Sequence, residues 1–346
     1  MARSMKAITP VIATIVLLLI TVAIAGSAWN YISGYWSGTV DKQIEVTDAF
    51  CVGTNQAKVL VRNIGTGAVS TGDITVLNKT SGTDISDDVK WASDVADSNL
   101  LLELKFDEGT GTVARDTSGK GHDGVLFGSP QWVAGKSGGG MDFDHAGDYV
   151  NVSGRDFIEM GRTLNTYTLS AWVKTSMALG GDAYIIDKWN AMNRYPFNFR
   201  IQDVQWYSMW WNGTGPNGCG TSSIGLDPND GVWHLLTATY DLDAGIIRIY
   251  SDGKYNQAIT ICTVIGTIWN DADILLAQYG SSEFIGTLDD VRIYNRVLGD
   301  DEIRALADNA ILVQPGDTAT MTQACGGRCD YRIMLGGRTL TAIVEC

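Results

Sequence analysis

The sequence predicts a mainly β protein that begins with a long apolar helix. Three observations carry this reading. Residues 8–40 contain no charged side chain, and the run PVIATIVLLLITVAIAGSA from Pro10 to Ala28 is almost wholly apolar. The rest of the chain breaks into short β-branched and aromatic segments separated by Gly, Asn, Asp and Ser, the pattern of strands and turns. The 346 residues include 40 glycines and only six prolines, with 45 % apolar and 18 % charged residues, so the chain is not of the disordered class. With 25 Lys and Arg against 39 Asp and Glu, the net charge is −14, which excludes a phosphate backbone as partner and speaks against a polybasic grip on anionic lipid.

The first element is the helix expected over residues 8–36. About 20 apolar residues are enough to cross a bilayer. Pro10 falls in the first turn, where its missing N–H costs nothing. Trp29, Tyr31, Tyr35 and Trp36 form an aromatic group at the far end, as at a membrane interface. Arg3 and Lys6 precede the run, so the remainder of the chain is expected outside the cell. Three readings fit: a removed secretory signal with an A-x-A-like site at Ala23–Ala25, a plain membrane anchor, or a leader cut before the apolar run. KAITPVIATIVLLLITVAIAG resembles the N-terminus of archaeal type IV pilins. The resemblance implies a leader at residues 1–7 and cleavage between Ala7 and Ile8. It implies a helix that sits in the membrane before assembly and then packs against copies of itself in a filament. Ile12 stands where bacterial pilins usually carry glutamate.

Short strands follow in QIEVTDAFCVG, AKVLVRNIG and DITVLNK, too few to close a sandwich alone. Similar segments recur at the other end: ILVQPGDTATMTQA, CDYRIMLGG and TLTAIVEC. We therefore expect a discontinuous β-domain, residues 37–92 with 311–346, interrupted by a second domain at 93–310. KTSGTDISDDVKWASDVADS reads as the entry linker. The resemblance makes this split unit a pilin-type β-sandwich head.

In the insert, strand candidates include NLLLELKFD, GDYVNVSG, YTLSAWVKT, YIIDKW, WHLLTATYD, IIRIYSDG and EFIGTLDDVRIYNR, with SDG as a hairpin turn. A short helix is expected after Gly299, with Glu302 at its third position. FDEGTGTVARDTSGKGHDGVL, MDFDHAGDYVNV, TLSAWVKT, DGVWHLLTATYD, IRIYSDGK and GTLDDVRIYNRVLGDDEIRAL resemble, in order, the blocks of LamG-like, concanavalin A-like jelly rolls. The resemblance implies two curved antiparallel sheets of some 12–14 strands, and binding of carbohydrate or protein ligands more often than catalysis.

The Glu-x-Asp-x-Glu string that glucanases of this architecture place on one strand face is absent, so no catalytic residue is assigned. His122, His145 and His234 read as hydrogen-bonded structural residues. Asp107, Asp116, Asp289 and Asp290 fall in the first and last blocks, which neighbour each other in the family fold, where a structural Ca²⁺ is common; the same side chains can instead cap turns. In FNFRIQDVQWYSMWWNG, Trp206 and Trp210 share one strand face while Tyr207 and Trp211 share the other. One pair must pack inward. The expected glycan-binding residues are Trp206 and Trp210 with Tyr184, Arg200 and Tyr279.

Six cysteines outside the cell suggest disulfides. Cys219 with Cys262 is the pairing expected in the insert, leaving Cys51, Cys325, Cys329 and Cys346 to the split domain. Asn78, Asn151 and Asn212 begin glycosylation sequons. The functional expectation is an extracellular filament subunit bearing an adhesive lectin-like module. The alternatives are an anchored surface lectin or an extracellular glycosidase.

Overall fold

The computed structural model describes residues 42–93, 97–157, 162–177, 182–189, 194–202, 205–212, 219–223, 225–259, 270–279 and 282–346. The chain divides into two compact units. One joins the described residues before 96 to Ile311–Cys346; the other is Ala96–Ala310.

The long N-terminal helix is corrected. The one helix of seven or more residues among those described is Asp300–Ala307, here α1, and none is long and apolar enough to cross a membrane. Residues 8–36, and with them Ala7 and Ile8, lie outside the described residues.

The smaller unit is built from both ends of the chain. Its four-stranded antiparallel sheet runs in the order Ile44–Val52, Gln56–Asn63, Thr318–Ala324, Lys90–Ser93. A three-stranded sheet runs Arg338–Glu345, Arg328–Leu335, Thr75–Asn78. Alternation in Gln56–Asn63 turns Ala57, Val59 and Val61 into a core shared with Val76, Met321, Tyr331, Ile333, Ala342 and Val344. Asn63 is fully buried, and its polar atoms are spent on joining the two chain ends. Its amide donates to the carbonyls of Gly67 and Val313, both at 2.8 Å, and its Oδ1 accepts from the Gly65 N–H at 2.9 Å. Cys51 bonds to Cys346 across 295 residues, and Cys325 to Cys329 across four. Part of the stretch expected as a linker is instead the edge strand Lys90–Ser93, where Trp91 pairs opposite Met321.

The larger unit holds two eight-stranded antiparallel sheets. In the first, the order is Lys254–Ile259, Ile246–Ser251, Trp233–Asp241, Thr166–Lys174, Gly286–Tyr294, Gly139–Phe143, Gln131–Ala134, with Leu100–Leu104 also on Gly286–Tyr294. The second runs Cys219–Ser222, Gln205–Asn212, Arg194–Gln202, Asp182–Asp187, Ile274–Leu276, Tyr149–Val152, Gly124–Phe127, Val113–Ala114. The 16 strands of the two sheets exceed the 12–14 that the resemblance implies. Leu169, Ala171, Val173, Leu236, Ala238 and Tyr240 share one buried core with Ile185, Phe197, Phe199, Trp206 and Trp210 of the second sheet. The Ser-Asp-Gly signal forms a two-residue hairpin loop: Ser251 pairs with Lys254, and Asp252 and Gly253 take φ 51° and 74°, as a type I′ turn requires. At the start of α1, the Gly299 N–H donates to Glu302 Oε2 at 2.8 Å, the backbone half of a capping box.

Candidate functional site

The second sheet turns its apolar residues inward, so the intervening residues of three adjacent strands form a polar outer face. Register places Tyr184 opposite Arg200, and Arg200 opposite Tyr207, in one lateral rung. The next rung holds Asp187, Asn198 and Met209. Cross-strand neighbours of this kind stand about 5 Å apart at Cβ, close enough to act together.

The guanidinium of Arg200 lies 5.6 Å from the ring centres of both Tyr184 and Tyr207. This flanking by two aromatic rings fixes the cation without consuming its donors. One Nη donates to Asn198 Oδ1 at 2.9 Å, and Nε faces Asp182 Oδ1 at 3.4 Å, too far for a good hydrogen bond. Neither Asp182 Oδ1 nor Arg200 Nε is hydrogen-bonded. The Asn198 amide donates to Asp187 Oδ1 at 2.7 Å. Asp187 is 2 % exposed, and burial pushes its carboxyl up to about 7 against the opposing pull of Asn198 and Arg200. Tyr207 and Met209 are half-buried, and the Tyr207 hydroxyl donates to Gln205.

The aromatic residues expected to bind glycan separate cleanly. Trp206 and Trp210 are 0 % and 2 % exposed within the core, which corrects their assignment as a stacking surface. The strand's period predicts two faces but not which one packs inward, and the inward face took the larger rings. The Trp206 indole N–H donates to Ser251 Oγ at 3.1 Å. Tyr184 and Arg200 do share the outer face; Tyr184 is 7 % exposed. The backbone of Tyr279 lies in the strand Gln278–Tyr279, away from this rung, and its side chain is outside the described residues. Tyr207, Asp182 and Asp187 were missed. The alternation that separates Tyr207 from Trp206 was the available signal for the first, whereas nothing local marks the aspartates.

The four aspartates considered for calcium do not converge. Asp116 is saturated as a turn cap, accepting from the N–H groups of Glu103, Ser118 and His122 and from the Ser118 hydroxyl. Asp107 accepts from the Gly139 N–H at 2.6 Å, Asp289 from Ser137 at 3.0 Å, and Asp290 pairs with Arg292 at 3.0 Å. Burial, with Asp290 alongside, pushes the Asp289 carboxyl up to about 7. Among the described residues, the one three-member group with converging ligand atoms is Asp144, His145 and Asp148. That group contains none of Asp107, Asp116, Asp289 and Asp290.

The histidines are hydrogen-bonded. His122 Nδ1 contacts the Leu101 carbonyl at 2.8 Å, His145 pairs with Asp144, and His234 lies between Asp252 and Asp230 at 2.9 and 3.2 Å. Asn78 Oδ1 accepts from two backbone N–H groups, and the Asn151 amide donates to Asp273. The side chains of Asn212 and Cys219, and all of Cys262, lie outside the described residues.

Comparison with known proteins agrees with this architecture. Residues 144–304 match the pattern of a family described as the concanavalin A-like lectin/glucanases superfamily. Comparison with curated proteins gives no match. Among solved structures, the binding domain of Paraclostridial Mosquitocidal Protein 1 aligns with TM-score 0.51 at 17 % identity, covering 60 % of this chain and 52 % of that one. The binding domain of botulinum neurotoxin DC, solved with rat synaptotagmin II, aligns with TM-score 0.51 at 16 % identity over 62 % and 52 %. A botulinum neurotoxin type C structure, whose cell entry is described as dependent upon two ganglioside molecules, aligns with TM-score 0.51 at 16 % identity over 61 % and 51 %. This chain thus spans about half of each of those chains. The larger unit has a concanavalin A-like lectin-type fold.

Proposed function

We propose that the larger unit is a non-catalytic carbohydrate-binding module displayed outside the cell. The observation that carries this reading is the Tyr184–Arg200–Tyr207 rung, an aromatic-flanked cation ion-paired with Asp182 at 3.4 Å. Sugar rings offer apolar C–H faces to aromatic side chains and hydroxyls to forked donors and carboxylates; the rung carries the first two, and Asp182, two residues before Tyr184, carries the third. The lectin-type fold and the ganglioside dependence described for the botulinum type C protein support it. The two disulfides of the smaller unit support an oxidising compartment.

Glycosidase chemistry is disfavoured. Asp182 and Asp187 occupy opposite ends of one strand, about 16 Å apart at the usual rise per residue. An inverting pair stands about 6.5–9.5 Å apart and a retaining pair closer. Glu103 is tied to Arg292 at 2.8 Å and to Thr117 at 2.6 Å.

The test is a glycan array probed with the full chain and with Arg200→Ala. Bound glycans that disappear with Arg200→Ala, at unchanged thermal stability, support the reading. A blank array, or binding indifferent to Arg200, defeats it.

A second reading concerns the whole chain: a subunit of a type IV pilus-like filament, self-associating, with the lectin-type unit as its adhesive part. The discontinuous smaller unit and the resemblance of residues 6–26 favour it. Mass spectrometry of the native N-terminus decides: a start at Ile8 supports it, and an intact N-terminus argues for a surface lectin that does not polymerise.

A further inference from the structure

A polar cavity lies on the first sheet of the same unit, where none of the residues discussed for glycan binding contributes. Three neighbouring strands end there. Register sets Asp142 opposite Thr287, and Thr287 opposite Lys174, in one rung. Their chain neighbours Met141, Leu288 and Val173 are in the core, so the three face outward. The Thr287 hydroxyl donates to Asp142 Oδ1 at 2.8 Å, leaving the second carboxylate oxygen available. These residues, with Asp144, Met177 and Ile285, line a cavity of about 240 Å³.

The cavity is held open by a tied cluster of loops. The Thr175 hydroxyl donates to the Ile285 carbonyl at 2.6 Å, the Gly231 N–H to the Thr175 carbonyl at 2.8 Å, and the Asn229 amide to the Met177 carbonyl at 2.5 Å. The Ile285 N–H reaches Met177 Sδ at 3.2 Å. Gly286, at φ 150°, lets the strand pass where a Cβ would stand 2.5 Å from the Lys174 carbonyl. Such ties pre-set the walls, so a ligand does not have to order them.

We propose that this cavity is a second saccharide subsite, which takes a single hydroxyl-rich ring of neutral or cationic character, a hexose or an unacetylated amino sugar. The volume is below the range usual for drug-sized ligands and suits one ring rather than a chain. Asp142 and Asp144 accept vicinal hydroxyls or an ammonium, Lys174 donates to a ring or hydroxyl oxygen, and Met177 with Ile285 meets the apolar face. Asp142 and Asp144, the latter paired with the His145 ring, set two carboxylates against the Lys174 ammonium and disfavour a carboxylated sugar. Trp233, half-buried and opposite Lys174 in the register, continues the rung and offers a ring to a second sugar unit. The subsite is independent of the Arg200 face, so either can fail alone.

The experiment follows the methyl signal of Met177 by NMR in the full chain during separate titrations with D-glucosamine, D-galactose and N-acetylneuraminic acid. Asp142→Asn, Lys174→Gln and Arg200→Ala are titrated in parallel, each checked for an unchanged melting temperature. The expected result is a saturable Met177 shift with glucosamine or galactose, weakened about tenfold or more in Asp142→Asn and Lys174→Gln by loss of a charge-assisted hydrogen bond, and unaltered in Arg200→Ala. An unmoved Met177 signal with all three sugars overturns the proposal. So does a shift that survives both variants, one that vanishes only with Arg200→Ala, or tighter binding of N-acetylneuraminic acid than of glucosamine.

Discussion

Arg200 and Trp206 lie on the two paired strands of one hairpin, one position out of register, and do opposite jobs. Their strands alternate, so Trp206 is driven into the core while Arg200 stays on the outer face with 16 % of its side chain exposed. Replacing Trp206 by alanine removes a fully buried ring and is expected to cost about 3–5 kcal/mol, read by chemical denaturation. Replacing Tyr207 by alanine is expected to leave the midpoint almost unmoved while weakening glycan binding, read by calorimetric titration. Asp187 gives a pH signature. Its carboxyl, ordinarily at 3.8, is pushed up to about 7 by burial, so the folded chain holds the proton more tightly than the unfolded chain. Stability therefore falls as pH rises from about 4 through about 7. Asp187→Asn should flatten that fall, as measured by melting temperature against pH. His234 acts in the same direction at higher pH. Burial opposes its charge, but Asp252 and Asp230 outweigh that and raise it above its ordinary 6.5. Its contribution is complete below that value and is lost as pH rises through the folded one.

At the scale of elements, most strands were legible because the sequence alternates or carries β-branched runs between strong turn residues. AKVLVRNIG became Gln56–Asn63, WHLLTATYD became Trp233–Asp241, and the segment after Gly299 became α1. The Ser-Asp-Gly turn was readable because a type I′ loop admits few residues, and Asp252 also accepts from the Leu235 N–H at 2.9 Å. Gly253 carries a specific prediction. At φ 74°, with an added Cβ 2.7 Å from that of Ala307, Gly253→Ala should destabilise the larger unit by about 1–3 kcal/mol, visible as a lowered melting temperature. Less legible was the edge strand Lys90–Ser93. Its residues are mostly exposed, so polarity made it resemble a linker while backbone pairing to Thr318–Ala324 decided its structure. Which face of Gln205–Asn212 turns inward was likewise not readable, because both faces carry aromatic rings and only the partner sheet breaks the tie.

For the whole molecule, strand-like segments recur at both ends of the sequence, and the structure divides into Ala96–Ala310 and a unit that joins the described residues before 96 to Ile311–Cys346. The long apolar helix has no counterpart among the described residues, and the three-member group with converging ligand atoms, Asp144, His145 and Asp148, includes none of the four aspartates named from the sequence blocks, because proximity of blocks does not fix where each carboxylate points. The bond between Cys51 and Cys346 closes nearly the whole sequence into a loop, which includes the entire lectin-type unit. Its replacement by two serines is expected to destabilise the smaller unit by about 2–5 kcal/mol, and to leave the unfolding of the larger unit unaltered if the two melt separately, as calorimetry would show.

The account rests on the outer face of the second sheet being a glycan surface. Its most direct test is a crystal structure of the chain soaked with an oligosaccharide selected on the array. Density for a sugar packed on Tyr207, with hydroxyls on Arg200 and Asp182, is the predicted result. A sugar bound elsewhere, with this rung bare, would contradict it.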